Sequence, residues 1–493
     1  MREPGAVMLA LAPKWLLLAQ PLLWLLTLLP SAAALRSEAR QPGPELPSTT
    51  WDPTAGTVLA NVSKDVVLQF IPSNQSHLLT HVAVDKSTDE IYLGAVNRLY
   101  QLNGLTMKPT YQVVTGPRLD SAGCHATGCN PDIVKSLTDN YNKVLVVAPS
   151  TESVIACGSV SQGACDTYRR GNLSVHNEYI PRSIAANDPY SSTFAFIGPE
   201  RYSTFGESEA LYIGTTFTSL GDYRHDVPAI ATRNLVDLDF SKFTFSEQSL
   251  LRIDVKYRDH FLVKYIYGFN ASNYVYFLTV QKKSHLPGQE EAGYISRISR
   301  ICISDDNYDS YTEITLECHG SHGISYNLVQ DATIFEAGAD LAASMAIAAG
   351  DKVMLVAFSK SVGHTDKPQK ITAMCMYSVK EVDARFNENI HMCFNGSRRH
   401  RSMEYISGTI LDGKCPRKWS TGNIQNFCDV GLKISGSAPL TTRASLRLNH
   451  TLVTSVVAAP AGAHSVAFMG TSTGLLKKVR CSTIIVILGR TLL

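Results

Sequence analysis

Residues 91–102 read Ile91-Tyr92-Leu93-Gly94-Ala95-Val96-Asn97-Arg98-Leu99-Tyr100-Gln101-Leu102. A β-rich run ends in glycine, turns tightly, and returns as a second β-rich run, the pattern of a hairpin. Leu211-Tyr212-Ile213-Gly214-Thr215-Thr216 repeats its first half, and Val466-Ala467-Phe468-Met469-Gly470-Thr471-Ser472-Thr473-Gly474-Leu475-Leu476-Lys477-Lys478-Val479 repeats the whole. Between these repeats the same alternation of strand and turn predicts strands at 144–148, 154–157, 261–269, 274–281, 295–303, 353–358 and 371–377. Helical periodicity is rare; Val379, Val382 and Phe386 mark one short amphipathic helix. About 450 residues follow the N-terminal apolar segment without an internal linker. An undivided all-β chain of that size with a degenerate repeat points to a β-propeller. Tandem β-sandwiches, the rival architecture, call for a turn-rich boundary every hundred residues or so, and none occurs.

A propeller must hide the edges of its first and last sheets. Val66-Val67-Leu68-Gln69-Phe70 stands alone before the first full repeat, and the last repeat, Thr454 to Val479, supplies about three strands. The expectation is that this N-terminal strand closes the ring.

The N-terminus carries an address. Arg2 and Lys14 flank an apolar run from Trp15 to Leu29 that ends in Pro30-Ser31-Ala32-Ala33-Ala34. A basic start, an apolar middle and a small-residue exit are the parts of a secretory signal peptide, read here as residues 1–34 with cleavage after Ala34. Pro13, Lys14, Gln20 and Pro21 break the stretch and argue against an uncleaved anchor. A Pro-rich, flexible segment follows at 35–57, then the propeller at 58–480 and an atypical tail at 481–493. No later run approaches the roughly 20 apolar residues a membrane span needs; Thr483 to Gly489 is far shorter.

Composition agrees with an extracellular or secreted location. Six glycosylation sequons begin at Asn61, Asn74, Asn172, Asn270, Asn395 and Asn449. The 11 cysteines, in an oxidising compartment, imply paired bridges with at least one left over. A net charge of +2 gives no case for nucleic acid or an anionic membrane.

Enzyme-like and metal-like strings fail on inspection, so no catalytic residue, cofactor or metal is assigned. Gly470-Thr471-Ser472-Thr473-Gly474 matches the nucleophile-elbow spacing, but a strand follows it and no Asp, Glu or His comes later in the chain. Asp305, Asn307 and Asp309 begin like a calcium loop, yet Ser310 and Leu316 stand where glycine and glutamate are needed. Cys318-His319 with His322 has zinc-ligand chemistry, but a disulfide is the commoner fate of such a cysteine outside the cell. Arg398-Arg399-His400-Arg401 meets the minimal rule for furin-like cleavage, although an exposed basic loop is the commoner meaning.

Cys157-Gly158-Ser159-Val160-Ser161-Gln162-Gly163-Ala164-Cys165 resembles the C-G-S-x-x-Q-G-x-C signature of sema domains in plexins. Further matches follow in order at 227–233, 274–281, 300–302 with 310–313, and 338–342, so the likeness covers roughly residues 58 to 480. It implies a seven-bladed propeller and the semaphorin-binding part of a single-pass receptor in axon-guidance and cell-migration signalling, with other plexin or co-receptor ectodomains as further partners. Thr312–Cys318 and Met403–Cys415 look closer to B-type plexins. The resemblance also implies the bridges Cys124–Cys129, Cys157–Cys165, Cys302–Cys428, Cys318–Cys375 and Cys393–Cys415, with Cys481 left over. The longest, Cys302–Cys428, should restrict the unfolded chain most, on the order of 4 kcal/mol in the loop-entropy account.

The cysteine-rich and immunoglobulin-like modules, membrane span and GTPase-activating region that the likeness leads one to expect do not follow residue 480. Either a secreted short form or a truncated chain accounts for this, and signalling is not assigned to these residues. Family members meet semaphorins through loops of the early-middle blades. The matching segment here is 217–228, with Tyr223, Arg224 and Val227 as candidate contacts. The alternative is a secreted propeller with an unrelated extracellular binding or hydrolytic role.

Overall fold

Most of the strand runs, apart from 295–303, are apolar at nearly every position, and the fold explains why. The computed structural model describes residues 8–11, 24–27, 68–72, 78–200, 208–245, 247–408, 413–416, 427–481 and 486–492. A short N-terminal pair comes first, β1 (Met8–Leu11) with β2 (Trp24–Thr27). Sheet one is β3 (Leu79–Asp85), β4 (Glu90–Ala95), β5 (Arg98–Asn103) and β6 (Pro109–Val114). A small hairpin, β7 (Arg118–Asp120) and β8 (Ser136–Thr138), leads to sheet two: β9 (Asn142–Ala148), β10 (Ser153–Gly158), β11 (Cys165–Arg169) and β12 (Asn172–Ile180). Sheet three is β13 (Thr193–Pro199), β14 (Glu209–Thr215), β15 (Ile230–Arg233) and β16 (Leu250–Leu251).

Sheet four runs through β17 (Lys264–Ala271), β18 (Tyr274–Lys282), β19 (Tyr294–Cys302), β20 (Thr312–His319) and β21 (Ser325–Tyr326). Sheet five is β22 (Leu328–Glu336), β23 (Lys352–Ser359) and β24 (Thr372–Ser378). The helix α1 (Ala339–Met345) lies between its first two strands, and α2 (Val379–Phe394) follows β24. After the one-turn helix α3 (Phe427–Val430), β25 (Ile434–Ser435) and β26 (Leu440–Arg443) return parallel to β20 and cover its edge. β27 (Leu446–Leu448) then completes sheet five. Sheet six is β28 (Val453–Ala461), β29 (His464–Thr471), β30 (Leu475–Cys481) and β31 (Val486–Leu492).

Sheets one to five bury both faces, so successive residues of their middle strands enter different cores. Tyr92 packs toward sheet two while Ile91, Leu93 and Ala95 face the other way. Tyr276 and Leu278 pack toward sheet five, Val275 and Phe277 toward sheet three. Met354, Val356 and Phe358 face sheet four, whereas Val353, Leu355 and Ala357 face sheet six. This is the all-β propeller arrangement expected, and α2 buries Val379, Val382 and Phe386 as its periodicity requires.

The glycine closing the second strand of each repeat has a spatial cause. A Cβ on Gly94 would lie 2.1 Å from Asn142 Oδ1 of the next sheet, and one on Gly214 would lie 2.3 Å from the ring of Tyr265. The innermost strands share a second device. In five of the six, one residue is left unpaired near the start: Thr80, Lys143, Ile266, Gln330 and Thr454. Such bulges bend the strand and sharpen its twist. The unpaired Thr80 hydroxyl donates to Asn142 O, at 3.1 Å, and so joins sheets one and two.

Two expectations about closure change. The described residues form six sheets of four or more strands rather than seven. The innermost strands β3, β9, β13, β17, β22 and β28 pack side by side in sequence, but β28 and β3 have no comparable contact among the described residues. Of the segment expected to close the ring, Val66 and Val67 lie outside the described residues, and Leu68–Phe70 forms no strand. Phe70 instead buries against Tyr100 of sheet one, ring centroids 5.3 Å apart. Its apolar ring gains more from capping that face than it would as an outer edge. The outer strand of sheet six comes from the tail, as β31 pairs antiparallel with β30. Cys481 is accordingly a buried end of β30, and burial pushes its thiol up to about 12.

One buried carboxylate gives a test of this packing. Asp331 follows the bulge in β22 and accepts a hydrogen bond from Val456 N of sheet six, at 2.7 Å. Burial pushes its carboxyl up to about 7, although the hydrogen bonds from Val456 and Ala332 pull the other way. An unfolded aspartate titrates near ~3.9, so the fold prefers the protonated form. Stability from this group is therefore complete at low pH and is lost as pH rises through about 7. Asp331→Asn, which keeps an acceptor, should raise Tm at pH 8 and flatten the pH dependence of Tm between pH ~4 and ~7. An unchanged pH profile in thermal melts would contradict this.

Candidate ligand-binding face

The loop 217–228 leaves β14 and enters β15, with a single helical turn at Asp222–Asp226. Tyr223 stands at its crest, 37% exposed, with its ring against His125 at 4.6 Å in an edge-on arrangement. Val227 is half-buried, and its N–H donates to Arg224 O. Arg224 departs from expectation: its side chain is fully buried, so it is not a contact for a ligand. Its Nη1 donates to Gln162 O at 2.9 Å, whereas Nε and Nη2 have no hydrogen-bond partner. Burial holds its pKa down to about 10, which still leaves it charged at neutral pH. The guanidinium braces the loop from beneath.

Gln162 is the hub of this brace. It is the glutamine of the C-G-S-x-x-Q-G-x-C signature, a motif position to which the sequence alone attaches no structural role. Its Nε2 donates to Ala122 O and Cys124 O, both at 2.9 Å, and its Oε1 accepts from Asn187 Nδ2 at 2.8 Å. Asn187 Nδ2 also donates to Leu220 O, and Thr218 donates to Asn187 Oδ1. The Tyr179 hydroxyl donates to Ala126 O at 2.9 Å, and Ser161 N donates to Asp120 Oδ2 at 2.7 Å. Three segments distant in sequence, 118–138, 157–165 and 217–228, thereby form one unit. The bridges Cys124–Cys129 and Cys157–Cys165 close two of them covalently.

The other bridges are Cys302–Cys428, Cys318–Cys375 and Cys393–Cys415, the same pairs that the family resemblance implies. Cys318 therefore has no thiolate to offer a metal beside His319. Among the described residues no cluster of histidine, cysteine and carboxylate side chains could hold a metal ion. In the calcium-like loop, Asp305 Oδ1 accepts from Asn307 N, and Asp309 pairs with Lys433 Nζ at 2.6 Å. Gly470–Gly474 is a turn between β29 and β30, with no helix after Ser472. A small pocket between Tyr212, Tyr308, Glu200 and Asp305 encloses about 20 Å³, room for a water rather than a substrate. In the basic string Arg399 and His400 are exposed and Arg398 is half-buried, but Arg401 is buried, donating from Nε to Lys414 O at 3.0 Å, so the string is an exposed loop only in part. Of the sequons, Asn395 and Asn449 are exposed, Asn172 and Asn270 are half-buried, and Asn61 and Asn74 lie outside the described residues.

Comparison with known proteins agrees with this architecture. Residues 329–484 match the Sema domain family. The chain is 29% identical to human Plexin-A2 over 432 residues, which is 83% of this chain and 22% of the relative. It thus spans about a fifth of that protein's length. The solved Plexin A4 extracellular region superposes with a TM-score of 0.74 at 26% identity, covering 85% of this chain and 42% of that one. Drosophila Plexin A, solved in complex with Semaphorin 1b, shares the fold with a TM-score of 0.51 at 15% identity, covering 85% of this chain and 80% of that one. These relatives are A-type plexins, and they give the B-type likeness of Thr312–Cys318 and Met403–Cys415 no support. No helix among the described residues is long and apolar enough to cross a membrane.

The burial of Arg224 is directly testable. Arg224→Glu puts an acid where the carbonyl of Gln162 already points and should destabilise the fold by on the order of 3 kcal/mol, blocking secretion. Arg224→Met, which fills the same space without charge, should still be secreted. Normal secretion and melting of Arg224→Glu would show that the side chain reaches solvent.

Proposed function

We propose that this chain is the semaphorin-binding propeller of a plexin-like receptor, working outside the cell. The observation that carries the reading is its likeness to Plexin-A2 over 83% of its length. The complex of Drosophila Plexin A with Semaphorin 1b supplies the partner class. Five disulfides and exposed sequons at Asn395 and Asn449 support an extracellular setting. The seven-sheet ring implied by the resemblance would place its seventh member between sheets six and one, whose innermost strands β28 and β3 lack, among the described residues, the close packing of the other neighbouring pairs.

Tyr223 is the contact we assign on the 217–228 loop. It is a partly exposed aromatic on a rigid base, the kind of side chain that becomes an anchor when a partner excludes water around it. The test is binding of the secreted chain to a panel of semaphorin ectodomains. At least one should bind, and Tyr223→Ala should weaken that binding by about 2 kcal/mol, roughly 30-fold. Unchanged affinity would remove this loop from the interface; no binding by any semaphorin would remove the function.

A further inference from the structure

The hairpin β7–β8 belongs to none of the six sheets and has no counterpart between the later ones. Its outer surface is apolar in an unusual way. Leu119 and Leu137 are direct cross-strand partners, so their side chains share one face, and each is 69% exposed. Val134, two residues before β8, is 88% exposed. The charges within the first strand are engaged inward, as Arg118 pairs with Asp166 at 3.1 Å and Asp120 accepts from Ser161 N, whereas Lys135, between Val134 and Leu137 in sequence, is exposed. What remains outward is a small apolar crest on a two-stranded ribbon.

A two-stranded ribbon is marginal by itself, yet this one is held at several points. Gln162 grips the carbonyls of Ala122 and Cys124, Tyr179 grips that of Ala126, and the Cys124–Cys129 bridge closes the tip. The same Gln162 accepts from Asn187, which holds Leu220 of the Tyr223 loop, and His125 of the hairpin lies against Tyr223 itself. The hairpin and the loop therefore present a continuous surface, ordered before any partner arrives. Preorganisation of this kind removes an ordering cost from binding.

We infer that the β7–β8 hairpin is the second half of the ligand face: Leu119, Val134 and Leu137 dock on the same semaphorin propeller that meets Tyr223, and Gln162 is the positioning residue that sets the two halves in register. The inference rests on the function proposed above. The partner surface it fits is apolar where it meets Leu119 and Leu137, with room at its edge for an acidic group opposite the exposed Lys135.

The test compares variants of the secreted chain in surface-plasmon binding to whichever semaphorin the wild type recognises. Leu119→Thr/Leu137→Thr keeps β-forming residues at exposed positions, so melting should be unchanged while affinity falls at least tenfold. Val134→Glu should act in the same direction. Gln162→Met should speed amide exchange in residues 118–138 and also lower affinity, although every exposed residue is intact; a purely structural role would move exchange alone. If Tyr223→Ala weakens binding while the hairpin variants bind as wild type does, the hairpin inference falls and the proposed function stands. If the hairpin variants alter only self-association in sedimentation, the crest serves a second copy of this chain and the inference is overturned. If the wild type binds no semaphorin, the proposed function falls and this inference with it.

Discussion

At two junctions between successive sheets a strand glycine leaves just the space that a side chain of the next sheet fills, and much of the packing follows from that contact. At Gly94 the next sheet's Asn142 occupies the space a Cβ would take, and at Gly214 the ring of Tyr265 does so. Sheets brought this close at one end must fan apart toward the other, and large side chains fill the widening gap. Tyr212, Phe277, Tyr276, Phe358 and Tyr377 are among those that do so. The bulges at Thr80, Lys143, Ile266, Gln330 and Thr454 bend the innermost strands at the same end. Because sheets one to five bury both faces, their polar groups must find partners at the rims, and the rims are where the loops are tied together.

Those ties use buried charge sparingly and with many contacts. Arg300 fastens α2 onto sheet four: Nη1 reaches Asp383 at 3.0 Å, Nη2 reaches Asn387 at 2.9 Å, and the guanidinium lies over the rings of Tyr274 and Phe386. The Tyr276 hydroxyl donates to the same Asp383. Arg224 is a contrast, with one hydrogen bond where Arg300 has two and two ring faces. An amide, Gln162, carries most of the connection there. It can donate twice and accept once without the desolvation cost of a charge.

Local pattern revealed much of this fold, and non-local contact hid the remainder. The hairpin at 91–102, the strands β9, β10, β14, β17, β18, β19, β23 and β24, and α2 were legible because their turn glycines and apolar runs are written within a dozen residues, whereas β11, β12, β13, β20 and β22 were not marked by that pattern. The role of Gly94 was not legible, since it depends on Asn142 48 positions later. Arg224 resembled a solvent-facing hot spot because a charged residue in a polar loop usually is one. Its buried guanidinium is held by the carbonyl of Gln162, 62 residues earlier, which no spacing rule connects to it. The count of sheets was read from the family likeness rather than from the repeats, and Phe70 was read as a strand residue because apolar alternation does not distinguish a strand from a cap.

The central claim is that 118–138 and 217–228 form one prearranged face for a semaphorin. Hydrogen–deuterium exchange of the secreted chain, with and without a saturating semaphorin ectodomain, addresses it most directly. The account predicts added protection confined to peptides covering both segments, on top of the slow exchange that Gln162 and the Cys124–Cys129 bridge already give residues 121–129. Protection appearing on other loops, with these two segments exchanging as in the free chain, would contradict it.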